Sequence, residues 1–412
     1  MLCCGCVSRC VLRLDQIKLN IIVHDFAGHP FPAQLSRSLA ARGHQVVHAY
    51  CSGVTSGKGE LTNRPGDADS LTFVDVSSEP FERYSPIGRI RSELRYGRKL
   101  SGLMRQRRPN VILSANTPLA AQAWAWTVAR RSNTKRVYWL QDFLGRGTRQ
   151  VLTAKLPVVG PVVGRAFEGL ETKLLRRSDA IIAITDDFRP LLASRGVEST
   201  VQVIQNWAPL DEVDVRPKVN GWSSRHSLAE RPIALYSGTL GLKHDPMHLV
   251  AAAERLRGTD GAVVVVTEGL GRDLLERIVR ERRLENLLLF DFVDYATLPD
   301  LLGSADVCLV ILQRDAGSFS VPSKILAYLA AGRAIVAAVP AENLSARIIQ
   351  NSGSGIVVDP GDYNGFGAAI SELLNDQQHR RVLAAGARTY AEAAFDIHSI
   401  TDAVLDSFGS TT

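Results

Sequence analysis

The sequence predicts an α/β protein in which two doubly wound, Rossmann-like domains face a central cleft. Short apolar runs of strand length alternate with amphipathic segments of helix length, a pattern typical of parallel sheets with crossover helices. The alternation stops once, at a polar stretch with three prolines, and then restarts. The chain of 412 residues is long enough for two to three domains, so we expect two sheets of similar size.

In the first half, apolar runs predict strands, and helical periodicity between them predicts the crossovers. We interpret the stretch LPVVGPVVG as a loop broken by proline and glycine. The predicted helices cover residues 32–43, 87–107, 119–131, 164–177 and 187–195. The predicted strands are KLNIIVH, QVVHAY, LTFVDV, NVILSA, KRVYWLQ, AIIAIT and VQVIQ.

In the second half, the alternation resumes after the polar stretch NWAPLDEVDVRPKVNGWSSRHSLAERP, which we interpret as a linker. The predicted strands are IALYSG, AVVVVT, NLLLF, DVCLVIL, RAIVAA and GIVVD. Helices are predicted at residues 246–256, 271–283, 298–302 and 343–350, in PSKILAYLAAG, and as a pair from about 366 to 394. The predicted units are a disordered extension (1–17), an N-terminal domain (18–206), the linker (207–231), a C-terminal domain (232–385) and C-terminal helices (386–412) that pack back on the N-terminal domain.

The amino-acid composition limits the kinds of ligand and partner that we expect the protein to bind. The formal net charge of +6 favours phosphates, nucleotides or acidic lipid head groups, and nucleic acid is excluded because no binding motif is present. No apolar run approaches the roughly 18 residues that a membrane-spanning helix needs. Four of the six cysteines lie in the first ten residues, so we expect no disulfide framework and a reducing cytoplasm. Those four cysteines either bind metal, accept a lipid or belong to a disordered extension.

Ligands of open parallel sheets bind beyond the carboxyl ends of the strands, and two loops of the second half suit an anion there. In YSGTLGLKHD, the residues Ser237, Gly238 and Thr239 follow the strand, and Lys243 lies four residues further on. Glycine lets backbone N–H groups approach an anion closely. The alternative is a simple glycine turn with a solvated lysine. In VTEGLGRD, Glu268 and Gly269 end a strand, but the third glycine of a dinucleotide fingerprint is missing.

The third loop is SVPSKILAYLAAG, which places a lysine where a helix dipole disfavours one. Pro322 suits the first turn of a helix, and Ser323 and Lys324 follow it. A diphosphate at this helix start would meet backbone N–H groups, a hydroxyl and an ammonium together. The alternative is a surface lysine that extends into water.

The order of these motifs resembles the donor half of family 4 glycosyltransferases of the GT-B fold, closest to the O-antigen and capsule fucosamine-transferase branch. HDFAGHPFPAQLSRSLAARGHQV, RRSDAIIAIT and VIQNW resemble the first half of such enzymes. The resemblance implies an acceptor-binding N-terminal domain and a nucleotide-sugar-binding C-terminal domain. It also implies a UDP-sugar donor, retention of anomeric configuration, no metal and no other cofactor, and it adds Val293 to the nucleotide-binding residues.

The sequence departs from that family at several positions. The two glutamates that many members have in the third loop are replaced by Phe319 and Ala327. An arginine common after the first loop's glycine is replaced by Thr239, which leaves Lys243 of the usual phosphate clamp and makes Lys324 a candidate for the second cation. Glu268 is a candidate replacement for one missing glutamate.

The first half should supply the acceptor wall of the cleft. His24 and Asp25 end the first strand, and the resemblance places Gly28 and His29 near the donor phosphate and the acceptor. His29 is a candidate general base or hydrogen-bond donor; the alternative is a loop histidine bonded to backbone. In WLQDF, Gln141 and Asp142 reach the cleft, and Asp142 either orients an acceptor hydroxyl or caps the following segment.

A basic segment at residues 83–108 contains nine arginines and lysines and one acid, Glu93. Ile87, Ile90 and Leu94 recur there at helical spacing, so the segment is either a helix on an anionic membrane surface or a solvated face over a core-facing stripe. LPVVGPVVGRAF is a candidate apolar loop beside it. A polyprenyl-linked or other lipid-linked acceptor would account for both, and would place the protein at the inner face of the membrane.

The predicted activity is glycosyl transfer from a nucleotide diphospho-sugar to an acceptor hydroxyl, with Asp142, His29, Glu268 and Lys243 as candidate catalytic residues. A nucleotide-sugar epimerase shares the layout but needs more acid–base groups than the donor half offers. The other alternative is a non-catalytic protein that binds a nucleotide-sugar. Measurement of donor turnover distinguishes it from an enzyme. A nicotinamide dehydrogenase is disfavoured by the missing glycine fingerprint. The sugar, the base and the acceptor stay open.

Overall fold

A computed structural model describes residues 18–54, 58–81, 86–241, 243–268, 270–316 and 321–409, so the predicted extension and its cysteines lie outside the described residues. The first sheet contains β1 (Asn20–Asp25), β2 (Gln45–Tyr50), β3 (Leu71–Asp75), β4 (Val111–Ala115), β5 (Lys135–Leu140), β6 (Ala180–Ala183) and β7 (Thr200–Val203). These strands are all parallel, in the order β3-β2-β1-β4-β5-β6-β7. The reversal of strand order beside β1 is the signature of a doubly wound sheet.

Helices cover both faces of this sheet. They are α1 (Pro30–Ala41), α2 (Pro86–Arg107), α3 (Leu119–Arg131), α4 (Leu144–Lys155), α5 (Gly160–Arg176) and α6 (Arg189–Ser194). α2 packs on α3, α3 on α5 and α5 on α4, which makes one continuous helical layer. Right-handed crossovers place α1 on the opposite face.

The second sheet repeats the arrangement. Its strands are β8 (Ile233–Ser237), β9 (Ala262–Val266), β10 (Leu287–Phe290), β11 (Val307–Ile311), β12 (Ala334–Ala338) and β13 (Gly355–Val358), in the order β10-β9-β8-β11-β12-β13. Its helices are α7 (Gly221–Arg225), α8 (Met247–Arg255), α9 (Leu270–Arg282), α10 (Leu298–Gly303), α11 (Lys324–Ala330), α12 (Leu344–Ser352), α13 (Tyr363–Asn375), α14 (Gln377–Ala394) and α15 (Ile397–Ser407). All pairings are parallel, so the predicted fold class of two doubly wound domains is confirmed.

The segment between the sheets is anchored at both ends by buried aromatic side chains. Trp207 is buried and stacks on Trp139, with ring centroids 5.9 Å apart, while Phe31 meets both rings edge-on. Trp222 is buried against Phe290 of the second sheet. The polar composition of this stretch gave no indication of the two buried tryptophans. Trp207 attaches the start of the connection to the first domain, and Trp222 attaches its end to the second.

The C-terminal helix α15 returns to the first domain and packs on α1 and β6. Thr401 donates a hydrogen bond to Ser38 over 2.8 Å, and Arg42 pairs with Asp402. Asp396 caps the helix by accepting from the backbone N–H of Ser399. The chain therefore contacts its first domain both at its start and at its end.

The sequence prediction missed α4 and assigned the first turn of α5 to the loop LPVVGPVVG, of which only residues 156–159 lie between the two helices. Gly145 and Gly147 lower the helix propensity of α4, but Gly145 lies so close to α5 that a Cβ would come within 2.9 Å of the Cα of Glu168. Pro161 lies in the first turn of α5, where proline is tolerated. Tertiary packing therefore decides the conformation here. No helix of the described chain is both long and apolar enough to cross a bilayer.

Two buried histidines sit within the first sheet. His24 bonds through Nδ1 to Ser114 and through Nε2 to Tyr96, each over 2.8 Å. His48 bonds through Nδ1 to Ser36 over 2.8 Å. Burial disfavours the charged imidazolium and lowers the pKa of each histidine to about 4. Both side chains are therefore neutral structural groups at pH 7.

Acidification from pH 7 to pH 5 should destabilise the fold. The unfolded chain protonates both histidines near their ordinary pKa of 6.5, whereas the folded chain resists until about pH 4. Stability is therefore lost as the pH falls through this window, by about 2 kcal/mol per histidine at pH 5. Urea denaturation at the two pH values measures the loss. His48→Asn removes one titrating group and should lose less between them, and an equal loss would contradict this assignment.

Candidate functional site

The carboxyl ends of the two sheets meet through an ion pair. Nζ of Lys243, in the loop after β8, lies 3.4 Å from Oδ2 of Asp142, two residues past β5. A second ion pair joins Arg347 of the second domain to Asp187 of the first, over 2.6 Å. Phe143, not Asp142, is the N-cap of α4, so the capping alternative for Asp142 was wrong. The predicted donor and acceptor walls are thus in contact at this pair.

Lys324 has an unusual environment for a lysine. Its Nζ is inaccessible to solvent and makes no hydrogen bond within the described part of the chain. It lies 3.5 Å from the centroid of the Tyr236 ring, a cation–π distance. Burial lowers the pKa of this ammonium well below its usual range. The alternative of a surface lysine in water was therefore wrong.

The loop after β8 is shaped around that ammonium. Gly238 has φ +136°, and a Cβ there would lie 3.2 Å from Cε and 3.3 Å from Nζ of Lys324. The hydroxyl of Tyr328 accepts from the backbone N–H of Ser237 over 3.0 Å, and the Tyr236 hydroxyl donates to the carbonyl of Thr239 over 3.1 Å. Glycine is required here both by conformation and by the closeness of the lysine.

His244 belongs to this cluster, and our sequence analysis missed it. The backbone N–H of Gly241 donates to its Nδ1 over 3.2 Å, so in the neutral ring Nε2 holds the proton. Burial, together with the nearby charges of Lys324 and Lys243, lowers the pKa of His244 to about 3. The only sequence signal for His244 was its position, one residue after the predicted cation Lys243.

On the other wall, the buried Asp25 pairs with the half-buried imidazole of His29. Oδ2 of Asp25 accepts from the backbone N–H of His29 over 2.5 Å and bonds its Nδ1 over 2.9 Å. Oδ1 accepts from Asn116 over 3.0 Å. Burial would raise the pKa of Asp25, but these partners outweigh it and hold that pKa below its usual range. The alternative of a His29 bonded only to backbone was wrong.

The charge state of His29 follows from this pair. Burial opposes protonation, but the Asp25 carboxylate outweighs it and raises the pKa of His29. The raised pKa makes the imidazole a stronger base, and because Nδ1 contacts Asp25, Nε2 is the ring atom left to donate a hydrogen bond or accept a proton. Gly28 precedes it with φ +75°, and a Cβ there would lie 2.8 Å from Leu61, which explains the glycine.

The remaining predicted residues differ in what surrounds them. Glu268 is exposed beyond β9, Val293 is half-buried beyond β10, and Ala327 packs on the core. The amides of Gln141 and Asn206 pair over 3.1 Å, which occupies Gln141. Gly269 and Phe319 lie outside the described residues. The roles assigned to these side chains stay predictions.

The position of Pro322 in the helix was predicted wrongly. α11 begins at Lys324, its N-cap is Ser323, and the buried Pro322 precedes the cap. The first helical hydrogen bond runs from the N–H of Leu326 to the carbonyl of Ser323, which excludes Pro322 from the turn. α11 has only 7 residues, so its dipole is a minor part of the site. Across the described ranges, no group of three or more His, Cys, Asp or Glu side chains could hold a metal ion.

Two family models match the chain at these domains. A glycosyl transferase 4-like domain matches residues 29–207, and the glycosyl transferases group 1 family matches residues 222–390. Together they span both sheets. The chain therefore belongs to the family 4 glycosyltransferases of the GT-B fold, and it is a glycosyltransferase.

The chain is also similar to two individual glycosyltransferases. The chain is 27% identical over 310 residues to a putative colanic acid biosynthesis glycosyl transferase, WcaI, of Escherichia coli, across 72% of this chain and 74% of that protein. It is 24% identical over 240 residues to an α-D-kanosaminyltransferase of Streptomyces kanamyceticus, across 56% of this chain and 60% of that protein.

Solved structures share the fold at lower identity. Sucrose-phosphate synthase of Thermosynechococcus elongatus has a TM-score of 0.69 at 16% identity, across 92% of this chain and 96% of that chain. Anabaena HepE in complex with UDP-glucose has a TM-score of 0.68 at 14% identity, across 95% and 100%. These similarities establish the two-domain fold.

Gly238→Ala should lower the unfolding free energy by about 1–3 kcal/mol, since it forces a side chain into a left-handed conformation against Lys324. Gly241→Ala is the matched control, because a Cβ there would meet nothing within 4 Å. Urea denaturation of both variants measures the difference. Equal stabilities would show that the loop moves freely away from the lysine.

Asp25→Asn should lower the pKa of His29 below its ordinary value, because burial then acts without the carboxylate. NMR titration of the imidazole measures the change against the wild-type protein. His244 lies in the other domain and should titrate alike in both proteins, which makes it the internal control. An unchanged His29 would exclude Asp25 as the cause of its raised pKa.

Proposed function

We propose that this glycosyltransferase transfers a sugar from a nucleotide diphospho-sugar, with a UDP-sugar favoured, to a hydroxyl of a lipid-linked saccharide in cell-surface polysaccharide or glycolipid assembly. The observation that supports the donor class is the buried ammonium of Lys324, which has no hydrogen-bond acceptor among the described residues. An unpaired buried charge is costly, and a bound diphosphate would supply the missing counter-charge.

The loop around Lys324 suits a phosphate group. Gly238 presents backbone without a side chain beside Nζ, and Lys243 provides a second ammonium at the more exposed rim. Exposed Ser323 adds a hydroxyl. The fold neighbour HepE, which was solved with UDP-glucose, supports a UDP-sugar as the first donor to test.

In the proposed reaction the acceptor hydroxyl oxygen forms a bond to the anomeric carbon while the bond from that carbon to the diphosphate oxygen breaks. The acceptor proton passes to the leaving phosphate oxygen, and the two ammonium groups stabilise the charge that develops there. Retention of configuration is implied by membership in family 4. We propose that these cations serve in place of a metal ion.

The acceptor side of the proposal depends on His29 and Asp142. The Asp25 carboxylate orients the His29 ring through Nδ1, so we assign Nε2 of His29 either hydrogen-bond donation to a bound oxygen or proton acceptance from the acceptor hydroxyl. Asp142 pairs with Lys243, so a donor phosphate that attracts Lys243 would release the carboxylate to orient an acceptor hydroxyl. Glu268 stays the candidate for one missing glutamate.

Two observations favour a lipid-linked acceptor and a peripheral position at the inner face of the membrane. In α2, Tyr96, Leu100 and Met104 are buried, so the core-facing stripe exists. Ile90 and Leu94 are nevertheless 45% and 40% exposed, on a face that also contains several exposed arginines. An apolar stripe with flanking cations suits an anionic lipid surface. The polysaccharide-related name of the Escherichia coli relative supports the same acceptor class.

Nucleotide binding tests the donor site. UDP, but not ADP, at 100 times its dissociation constant should stabilise the wild-type protein by about 2.7 kcal/mol, with and without EDTA. Lys324→Met keeps the side-chain length without the charge, and should lose most of this ligand-dependent shift. Comparison with and without nucleotide removes any intrinsic stability change of the variant.

Other results would each revise a different part of the proposal. A preference for GDP would change the base, and a shift lost in EDTA would contradict metal independence. No shift with any nucleotide would contradict the donor site. Binding without consumption of any donor sugar would favour the non-catalytic alternative, and epimerised donor without transfer would favour the epimerase.

A further inference from the structure

The hairpin of α4 and α5 exposes a cluster of aliphatic side chains at its end. Val158 is 87% exposed, Val162 65% and Val159 57%. Single exposed apolar residues are ordinary, but a contiguous group marks an interaction surface. We call this group the apolar tip, and it consists of Val151, Leu156, Val158, Val159, Val162 and Val163.

The hairpin beneath the tip is well packed. Gly164 contacts Arg149 and Gly160 contacts the carbonyl of Leu152 so closely that neither position has space for a Cβ. The buried carboxylate of Glu171 accepts from the N–H of Gly145 over 3.0 Å and from Arg195 over 2.8 Å. The valines are therefore held in solvent by a rigid support.

The part of the sequence that forms the tip is basic. Residues 143–167 contain no aspartate or glutamate but four basic residues, Arg146, Arg149, Lys155 and Arg165. Arg149 pairs with Glu168 at the base of the hairpin over 2.8 Å, whereas Arg165 is exposed. The net basic charge of residues 143–167 complements an anionic surface better than it complements a second copy of the same segment.

We propose that the apolar tip inserts into the interfacial region of an anionic lipid bilayer and anchors the N-terminal domain there. Aliphatic side chains gain by leaving water, and the surrounding cations attract acidic head groups. α2, α3, α5 and α4 form one layer, so the exposed face of α2 and Trp124 of α3, 40% exposed, adjoin the same surface. Tryptophan is favoured at such interfaces.

The position of the tip relates it to the candidate site. α4 begins two residues after Asp142 and has 12 residues, so the tip lies about 18 Å from that carboxylate along the helix axis. An acceptor held in the bilayer would be presented near Asp142. Only this consequence rests on the proposed lipid-linked acceptor; the insertion itself does not.

Co-sedimentation tests the insertion without donor or acceptor. The full chain is mixed with vesicles of phosphatidylcholine containing 30% phosphatidylglycerol. Wild type should bind, Val158→Glu/Val162→Glu should bind at least tenfold more weakly, and part of the wild-type binding should survive 0.5 M NaCl. Val382→Glu is the matched control, because Val382 is 58% exposed on α14, and it should bind like wild type.

Several results would overturn the proposal. They are no binding by wild type, equal binding by the tip variant, or complete loss of wild-type binding in 0.5 M NaCl. A wild-type dimer that the tip variant dissociates, seen by light scattering, would instead assign the tip to self-association. UDP-dependent stabilisation of the tip variant in solution should match wild type, so failure of the donor site and failure of the anchor are distinguished.

Discussion

Parallel strand pairing in both sheets is the constraint on which the rest of the structure depends. A parallel neighbour is reached only by a crossover, so every loop that follows a strand lies at the same edge of its sheet. The loops after β1, β5 and β8 therefore bring His29, Asp142 and Gly238 to the cleft edges. The stacked Trp139 and Trp207 attach the connecting segment to the first domain, and helix α15 returns to pack on the same domain.

The two walls of the cleft differ in whether their buried charged side chain has partners within the protein. The Asp25 carboxylate is saturated by His29 and Asn116, so its burial is compensated within the protein. Within the described ranges, the Lys324 ammonium contacts the Tyr236 ring but no hydrogen-bond acceptor. A cation–π contact offsets part of the desolvation cost, and the uncompensated remainder makes this position sensitive to a bound anion. The saturated wall suits positioning, and the unsaturated wall suits binding of a charged substrate.

The helical layer on the outer face of the first domain connects the candidate site to the surface that we propose contacts a membrane. The basic helix α2 forms ion pairs, since Arg95 and Lys99 both contact Glu79, so its seven basic residues overstate its free charge. The α4–α5 hairpin lacks acids at its end and starts at the cleft. In the proposed arrangement, one short helix connects the membrane-contacting tip to the end of the cleft where the acceptor would bind.

The sequence by itself determined the fold class and nearly all strands, because buried parallel strands appear as short apolar runs that no other element explains. It also identified Lys243, Lys324, His29 and Asp142 as residues near strand ends. Only the tertiary structure decided their states. The burial of Lys324 and its proximity to His244 depend on neighbours distant in the chain. The local Asp25–His29 pair is completed by Asn116 from another loop. The α4 helix was missed for the same reason, since glycines that weaken an isolated helix permit its close packing on α5.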